Sequence, residues 1–533
     1  MSADLVLTNG RFHTSDPRQP TASAVAIRDG KFLAMGNDDD MKALLGNGGE
    51  WIDLNGRCVT PGLVDAHVHF QHFSLQLQRI NLSESSSLQD ALDRISVGMQ
   101  AGGDGWLQGR GWSQDSWADR QFPTAAALDS VTGNRPAYFR DKSGHAAWVN
   151  SVVLRIAGIN AQTPDPAGGQ IQRDGDGRPT GILFEDAIDL VARHVQNPTE
   201  NEIVAAMRLG QEYCWRVGLT GIHDFDGRSC FRALQTLHQN GELGLRFVKN
   251  VPVYRLEHAV GVGLRSGFGD DWLRIGGVKI FADGALGPRT ATMIEPYENE
   301  PDNYGIVVTD KEEMMEKASI AAANGLSVTV HAIGDRANHD ILDVYEAVRQ
   351  EEVARGAKSL LRHRIEHVQI LHPSDLQRLA QLNVIASMQP THATSDIDMA
   401  SRYWGDRTQT SYAWRTMLDS GATLVFGSDA PIEEIDPLHG IHAAVTRQRA
   451  NGYPNADGWH PEQKLTMPET IHAFTQAAAI TAGQEVAQGS ITPGKLADLT
   501  IYEQDIFELP HDELLDVDVA GTMVNGRFRY RTF

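Results

Sequence analysis

Cysteine is scarce in this 533-residue sequence: only Cys58, Cys214 and Cys230 occur, and they are far apart. An odd and scattered set of cysteines provides neither a disulfide framework nor a cysteine-based zinc site. Free cysteines are typical of proteins in a reducing compartment, so we predict a cytoplasmic location.

Long apolar runs are also missing from the sequence. No window approaches the roughly 18 uninterrupted apolar residues that a membrane-spanning helix needs. The first residues, MSADLVLTNGRF, have neither the basic start nor the long apolar stretch of a signal peptide. We therefore expect neither a membrane span nor a signal peptide.

Positive charge is in short supply, because 47 Lys and Arg residues face 69 Asp and Glu residues and the net charge is −22. Such a chain repels the phosphate backbone of a nucleic acid unless a local basic patch overcomes the repulsion. We therefore expect a small-molecule substrate and no nucleic-acid partner. The composition leaves open whether the chain forms a homo-oligomer.

Both ends of the chain carry short β-strand signals. Near the start, apolar runs are separated by Asn9-Gly10 and Asp29-Gly30, and Asn525-Gly526 repeats the pattern near the end. Asn-Gly and Asp-Gly between such runs are strong signals for β-hairpins.

A chain of this length is too long for one simple core, so more than one structural unit is expected. We predict a small β-sandwich-like domain built from residues 1–60 and 487–533. One large domain, 61–486, is then inserted between its two halves. The alternative is that the termini form two unrelated hairpins.

The middle of the chain alternates apolar runs with helix-like stretches. Strands that alternate with helices indicate a parallel sheet, and eight such units indicate an α/β fold with a closed (β/α)8 TIM barrel. The eight strand candidates are Val59–His69, Gly218–Asp224, Arg246–Tyr254, Leu273–Asp283, Leu326–Asp335, His363–Gln369, Val384–His392 and Ala422–Pro431.

The connection after the first strand candidate, residues 72–216, is long enough to be an insertion of its own. It contains several tryptophans and a Gly-rich turn, Asp174-Gly175-Asp176-Gly177. Connections that follow a barrel strand emerge at the mouth of the barrel, so we predict a cap over that mouth.

Two histidines, His67 and His69, end the first strand candidate in the motif PGLVDAHVH. Residues two apart on a strand point to the same face, so both imidazoles can reach one metal ion. In a chain with 20 histidines, such a pair also arises by chance.

Four further polar residues end other strand candidates: Lys279, His331, His367 and Asp429. Taken singly, each has an ordinary explanation, since the lysine can be ion-paired, the histidines can be core residues and the aspartate can cap a helix. In a barrel, however, these strand ends converge on the face where active sites lie. Imidazole and carboxylate ligands suit zinc or another divalent metal of similar character.

The sequence resembles the amidohydrolase superfamily along its entire length, and within it the YtcJ-like branch that contains N-substituted formamide deformylase. The matching blocks are PGLVDAHVH, GWLQGRGW, DKSGHAAWVNS, GLTGIHDF, VKIFADGALGPRTA, VHAIGDRA, RIEHVQ, GSDAP and ITPGKLADLTIY.

This resemblance implies a set of metal ligands: His67, His69, His331, His367 and Asp429. It further implies that Lys279 is carboxylated and bridges two divalent metals, expected to be Zn²⁺. Unmodified Lys279 beside a single metal is the alternative.

The resemblance also implies the chemistry. A metal-activated water attacks the substrate, and Asp429 serves as general base and then as general acid. We expect hydrolysis of a non-peptide C–N bond in an N-substituted amide or formamide. The alternatives are a hydrolytic deaminase or cyclic amidase on the same site, and a catalytically silent binding or regulatory protein.

Other residues of these blocks are candidates for supporting roles. Asp335 and Glu366 follow or precede predicted ligands and are candidates to hydrogen-bond them, with a surface position as the alternative for each. The candidate substrate contacts are His145, Asp283, Arg289, His392 and Trp112, and the alternative for each is simple packing or a surface hydrogen bond.

Overall fold

The computed structural model describes residues 2–100, 105–114, 117–141, 146–195, 197–356 and 360–533, so the candidate His145 lies outside the described residues. The chain forms two units, which we call the barrel unit (Met1–Phe73 with Met207–Phe533) and the inserted unit (Ser74–Ala206). The domain limits inferred from the sequence, and the cap role of 72–216, stay predictions.

The strands of the described residues are β1 Ala3–Thr8, β2 Arg11–His13, β3 Thr21–Ala22, β4 Ala24–Arg28, β5 Lys31–Gly36, β6 Leu45–Asp53, β7 Cys58–Pro61, β8 Leu63–Val68, β9 Ile80–Asn81, β10 Leu107–Trp112, β11 Ala137–Asp141, β12 Ala146–Val149, β13 Gly169–Arg173, β14 Pro179–Glu185, β15 Leu219–Asp224, β16 Arg246–Pro252, β17 Leu273–Phe281, β18 Val328–Ala332, β19 Arg364–His367, β20 Ile385–Met388, β21 Leu424–Phe426, β22 Leu499–Tyr502, β23 Val519–Val524 and β24 Arg527–Arg531.

The α-helices of the same residues are α1 Asp38–Lys42, α2 Phe70–Leu77, α3 Leu88–Gln100, α4 Ala125–Thr132, α5 Ser151–Ile156, α6 Asp189–Ala192, α7 Glu200–Arg216, α8 Arg228–Gln239, α9 Leu256–Gly261, α10 Lys311–Ala323, α11 Asp335–Ala354, α12 Arg378–Gln381, α13 Pro390–Ser395, α14 Ile397–Trp404, α15 Trp414–Asp419, α16 Pro437–Thr446, α17 Met467–Phe474 and α18 Gln476–Ala482.

Eight parallel strands, β8 and β15 to β21, form one sheet in which neighbours along the chain are also neighbours in space. The sheet closes between its first and last strands, where Val68 and Ala430 form a parallel bridge. At the same seam, the Asp429 backbone N–H donates to the His67 carbonyl at 2.7 Å, and that of His69 donates to the Ala430 carbonyl at 2.8 Å. The predicted (β/α)8 barrel is confirmed.

Apolar patterning explains how the barrel strands and helices pack. All six residues of β15 are buried, as expected for a parallel strand that is covered on both faces. Helix α8 is amphipathic, and it buries Cys230, Ala233, Leu234 and Leu237 at helical spacing against the barrel. Helices separate all the consecutive barrel strands from β15 onward.

Strands from both termini share a six-stranded sheet in the order β24-β23-β22-β7-β2-β3, beside a four-stranded sheet in the order β5-β4-β1-β6. Strand β22 pairs antiparallel with β7, which leads directly into barrel strand β8. Buried residues of both sheets, including Leu7, Val25 and Ile501, form one hydrophobic core.

The hairpin signals have mixed outcomes. Asp29-Gly30 joins the antiparallel pair β4 and β5, and Asn525-Gly526 joins β23 and β24. The prediction of a hairpin at Asn9-Gly10 is wrong, because β1 and β2 belong to different sheets. The chain crosses between the sheets there, and a Cβ on Gly10 would lie 2.7 Å from the ring of Phe12, which is buried in their shared core.

The inserted unit has its own sheet, in the order β13-β14-β12-β11-β10-β9, and its own hydrophobic core. Trp112, Trp117 and Trp148 all lie in that core. The Trp112 side chain is fully buried, and its indole N–H donates to the Phe139 carbonyl at 3.0 Å. Trp112 therefore has a packing role in the inserted unit, and its predicted contact with substrate stays a prediction.

None of the helices in the described ranges is both long enough and apolar enough to cross a membrane.

Candidate metal centre

The side chains that the sequence predicts as metal ligands come together at the carboxyl ends of the barrel strands. Among the rings, the centroids of His67 and His367 are 5.0 Å apart, and those of His331 and His367 are 4.5 Å apart. The six predicted residues come from β8 and its end (His67, His69), from β17 (Lys279), from β18 (His331), from β19 (His367) and from the segment after β21 (Asp429).

Asp429 lies between two groups of histidines. Its Oδ1 is 3.5 Å from Nε2 of His67 and 3.6 Å from Nε2 of His69, and the ligand atoms of the three residues lie within 4.8 Å of one another. Asp429 also forms such a group with His367 and His392. Imidazole nitrogens around a carboxylate are a donor set that suits a divalent metal ion.

Each of the four candidate histidines has one ring nitrogen anchored to an acceptor. The pairs are His67 Nδ1 with Glu366 Oε2 (2.5 Å), His69 Nδ1 with Asp226 Oδ1 (3.1 Å), His331 Nε2 with the Gly284 carbonyl (2.8 Å) and His367 Nδ1 with Gln389 Oε1 (2.8 Å). Because these oxygens only accept, the anchored nitrogen carries the proton. In a neutral ring, the other nitrogen then keeps a lone pair for a metal.

Burial keeps three of these histidines neutral. It lowers the pKa of His67 and of His367 well below the usual value, and it lowers the pKa of His331 to about 4. The positive charge of Lys279 contributes in the same direction at all three. Neutral imidazoles are the form that binds metals, so no proton has to be displaced from the nitrogen that faces an ion.

The backbone redirects two of the candidate ligands. His367 has a φ of +76° and Asp429 a φ of +62°, which is left-handed geometry that non-glycine residues rarely adopt. In a strand the side chains alternate between faces, so His367 would point away from the face of Glu366 if β19 continued regularly. The left-handed φ of His367, at the end of β19, turns its side chain back towards the site.

Close approach of β8 to the segment after β21 depends on Gly427 and Asp65. A Cβ on Gly427 would lie 2.5 Å from the His67 backbone nitrogen. The buried carboxylate of Asp65 accepts the backbone N–H groups of His67 and Ser428, each at 3.0 Å. Asp65 thus holds β8, which carries His67, to the segment after β21 that carries Asp429.

Asp429 is ionised and held by a neighbouring histidine. Burial raises the pKa of its carboxyl, but a hydrogen bond from His392 and the positive charge of that ring act in the opposite direction, and the pKa is about 2. His392 Nε2 lies 3.3 Å from Asp429 Oδ2, and its Nδ1 lies 3.3 Å from Glu433 Oε1. His392, predicted as a substrate contact, therefore lies against the catalytic candidate and orients its carboxylate.

Lys279 is a buried lysine without an anionic partner among the described residues. Its Nζ lies 4.7 Å from the ring centroid of Phe225 and 4.8 Å from that of Phe281, and no carboxylate of the described part of the chain is within ion-pair distance. Burial lowers its pKa to about 8, although Glu366 and Asp429 oppose the shift. Buried Lys249 differs, since its Nζ is 2.7 Å from Asp224 Oδ2.

Asp283 and Asp335 have structural roles. Buried Asp283 accepts backbone N–H groups from Thr292, Ile333 and Gly334 at 2.8 to 3.0 Å, so its carboxylate holds loops and has little capacity left for a substrate. Asp335 accepts the Ile294 backbone N–H at 2.8 Å. No contact of Asp335 with a candidate ligand occurs within the described ranges, whereas Glu366 does contact one.

Arg289, another predicted substrate contact, is partly exposed and forms an ion pair with Glu300. Its guanidinium also lies over the ring of Tyr403, at 5.4 Å from the centroid. These contacts give Arg289 a structural role in its loop, and its predicted contact with substrate stays a prediction.

Three residues that support the site were missed by the sequence analysis: Asp226, Gln389 and Asp65. Asp226 and Gln389 follow β15 and β20, so their position after an apolar strand was a usable signal. Asp65 stands inside an apolar strand, and a buried carboxylate of that kind needs partners. Which histidine each one holds depends on the pairing of distant segments.

The comparisons with known proteins agree with this architecture. The model of the amidohydrolase family matches residues 50–530. Protein LONG AFTER FAR-RED 3 of Arabidopsis thaliana is 34% identical, over 99% of this chain and 92% of its own length. The putative amidohydrolase YtcJ of Bacillus subtilis is 33% identical, over 95% of this chain and 96% of its own length.

A third relative, the N-substituted formamide deformylase of Arthrobacter pascens, is 28% identical over 99% of this chain and 98% of its own length. Among solved structures, an uncharacterized metal-dependent hydrolase from Pyrococcus horikoshii superposes with a TM-score of 0.78 and 27% identity, over 95% of this chain and 99% of that one. The family resemblance drawn from the sequence motifs is confirmed. This chain is a hydrolase of the amidohydrolase family.

Proposed function

We propose that this chain catalyses metal-dependent hydrolysis of a non-peptide C–N bond, with an N-substituted amide or formamide as substrate. The convergence of four anchored histidines and one ionised carboxylate at the carboxyl ends of the barrel strands carries this proposal. The full-length similarity to N-substituted formamide deformylase supports the choice of bond.

His67, His69, Lys279, His331, His367 and Asp429 would hold the metal, which we propose to be two zinc ions. When bound, a divalent metal there supplies Lewis-acid activation of a water molecule and of the substrate carbonyl.

Asp429 is the proposed general base and general acid. As an ionised carboxylate it accepts a proton from the attacking water, and it then passes that proton to the leaving nitrogen. The hydrogen bond from His392 holds Oδ2, so Oδ1 stays directed towards His67 and His69. This arrangement keeps one carboxylate oxygen at the reacting centre.

We further propose that Lys279 is carboxylated. The neutral amine attacks the carbon of CO₂, a new N–C bond forms, and one proton is released. The resulting carbamate is an anion with two ligand oxygens, and it replaces an ammonium that has no carboxylate partner within the described residues. Unmodified Lys279 beside a single metal is the alternative.

We propose a cytoplasmic location, because the three cysteines are free. We also propose a small-molecule substrate, because the net charge of −22 disfavours nucleic acids. The oligomeric state stays open.

A panel of substrates tests the proposed activity. The protein is assayed as purified, after chelation and after zinc is restored, with N-substituted formamides, N-substituted acetamides, cyclic amides and aminopurines. We expect amine release from the acyclic amides that disappears with chelation and returns with zinc. Ammonia release from the aminopurines or ring opening would favour the deaminase or cyclic amidase alternatives. A metal-free protein that is inactive after reconstitution would contradict the proposal.

Chemical rescue tests the carboxylated lysine. Lys279→Ala should lose activity and part of its bound metal, and a small carboxylate such as formate or propionate should restore both. Wild-type metal content and activity in the variant without added carboxylate would reject the role of Lys279.

A further inference from the structure

A cavity of about 260 Å³ lies at the amino-terminal ends of β17, β18 and β19, at the opposite end of these strands from the candidate metal ligands. Among its lining residues, Ser266 and Ser327 precede β17 and β18, and Arg362 precedes β19. At about 30 Å³ per water molecule, the cavity has room for several waters or for one small ligand.

The walls of this basal cavity are basic. Three arginines line it, and none of the described lining residues is acidic, although acidic residues outnumber basic ones in the chain by 69 to 47. Arg364 is balanced by Glu366 and Arg362 by Glu485, each at 2.5 Å. Arg274 has no carboxylate within ion-pair distance in the described segments, so it contributes an uncompensated charge.

His223 lines the same cavity, and one of its ring nitrogens has no acceptor among the described residues. Its Nδ1 lies 3.1 Å from Arg364 Nη1, and because a guanidinium can only donate, Nδ1 accepts. Burial and the charge of Arg364 lower the pKa of His223 to about 3, so the ring is neutral and its proton is on Nε2. The side chain is 98% buried, at 2% relative exposure, and no described residue accepts that proton.

Arg274 has an unused donor as well. Its Nη2 donates to the Gly267 carbonyl at 2.8 Å, whereas its buried Nε has no acceptor within the described segments. A buried donor without a partner is costly, and an anionic oxygen is the acceptor that satisfies a guanidinium best. His223 and Arg274 thus share a need for acceptors that the described protein does not provide.

We propose that the basal cavity binds a small oxyanion, a phosphate or a carboxylate, through Arg274 and His223. An oxyanion supplies negative charge to the uncompensated arginine and acceptors to both orphan donors. The Arg364–Glu366 pair separates this site from His67, so the basal site is distinct from the proposed metal centre and does not depend on it.

Calorimetric titration of the metal-loaded protein tests this site, with inorganic phosphate and acetate as probes and chloride at equal ionic strength as the reference. We expect phosphate or acetate to bind the wild type, and Arg274→Gln to weaken that binding at least about tenfold, because it removes a charge-assisted contact. Arg265→Gln is the matched control: Arg265 is exposed, lies in the segment between α9 and β17, and does not line the cavity, so its loss should leave binding unchanged.

The result separates the basal cavity from the metal centre. Binding by the wild type that Arg274→Gln leaves unaltered would assign the anion to the metal centre and overturn the proposal. Binding of neither probe would overturn it too.

Anomalous diffraction from wild-type crystals soaked in selenate provides a readout that needs no variant. We expect a selenium peak in the basal cavity, with oxygens in hydrogen-bond distance of Arg274 Nε and His223 Nε2. If the basal cavity of the soaked crystals contains density for water alone, the assignment is contradicted.

Discussion

At the scale of single residues, the metal ligands depend on neighbours that have no ligand role themselves. Glu366 is fully buried and contacts three groups: Nδ1 of His67 at 2.5 Å, the Thr329 hydroxyl at 2.7 Å and the Arg364 guanidinium at 2.5 Å. Its two oxygens therefore fix the ring of His67 and balance a buried arginine.

Glu366→Gln should weaken metal binding by about 10- to 100-fold, because the neutral amide holds the His67 ring less firmly. Competition with a chromophoric chelator measures the affinity, and circular dichroism verifies that the variant is folded. Glu316→Gln is the control, since Glu316 is exposed on α10 and should leave the affinity unchanged. Wild-type affinity in Glu366→Gln would show that the contact does not position the ligand.

Asp429→Asn should lower kcat by about 10²- to 10⁴-fold, because an amide cannot accept the proton of the attacking water. The assay uses whichever amide the substrate panel identifies, with the metal content measured on the same sample. A variant that keeps its metal and retains a tenth or more of wild-type kcat would remove Asp429 from the role of general base.

At the scale of elements, the amino-terminal end of α17 shows how local sequence determines a boundary. Thr466 and Glu469 form a capping box, in which each side chain bonds the backbone of the other residue. Arg415 adds an ion pair to Glu469, and its hydrogen bond is the main reason that the pKa of Glu469 falls to about 2.

Glu469→Gln should lower the free energy of unfolding by about 1 kcal/mol at pH 7, through loss of the capping contact and the ion pair. The folded-state pKa lies below the ordinary value of 4.5, so the carboxylate stabilises the fold above pH 4.5. This contribution is lost as the pH falls towards about 2. Urea midpoints of wild type and variant should therefore converge on acidification, and a difference that grows would contradict the assignment.

The strand boundaries show what the apolar pattern of the sequence does not determine. The apolar run Val59–His69 reads as one strand, but it contains β7 of the terminal sheet and β8 of the barrel. Gly62 separates them, and a Cβ there would lie 2.4 Å from the Thr220 hydroxyl oxygen. The period of an apolar run shows that a strand exists, but it does not show to which sheet the strand belongs.

At the scale of the whole molecule, the barrel and the carboxyl-terminal strands of the barrel unit are joined by a buried ion pair. Arg246 on β16 forms two bonds with Asp498, at 2.6 and 2.8 Å, and the side chains are 6% and 10% exposed. Asp498 also accepts the Asn525 backbone N–H, which fixes the turn between β23 and β24.

Asp498→Ala should lower the free energy of unfolding by about 3 to 5 kcal/mol, because it leaves the Arg246 guanidinium buried without its counter-charge. Denaturation followed by tryptophan fluorescence measures the change. Asp518→Ala, an exposed aspartate of the same terminal segment, should change it by less than about 0.5 kcal/mol. Equal effects of the two substitutions would show that the ion pair contributes little.

The barrel was predictable from the sequence because strand and helix signals alternate, and the convergence of His67, His331, His367 and Asp429 followed from the geometry of parallel strands. The long-range contacts of the fold could not be predicted from the sequence. Glu366 is 299 residues from His67, and Asp498 is 252 residues from Arg246. Such pairs form only after distant segments fold together.

Anomalous diffraction at the zinc absorption edge, from crystals of the protein grown with zinc, tests the metal centre most directly. We expect strong peaks within bonding distance of the unanchored nitrogens of His67, His69, His331 and His367 and of Asp429, with carbamate density on Lys279 Nζ. Metal peaks without carbamate density would support a metal-dependent hydrolase in which Lys279 is unmodified. No peak at these residues in zinc-saturated crystals would contradict the account.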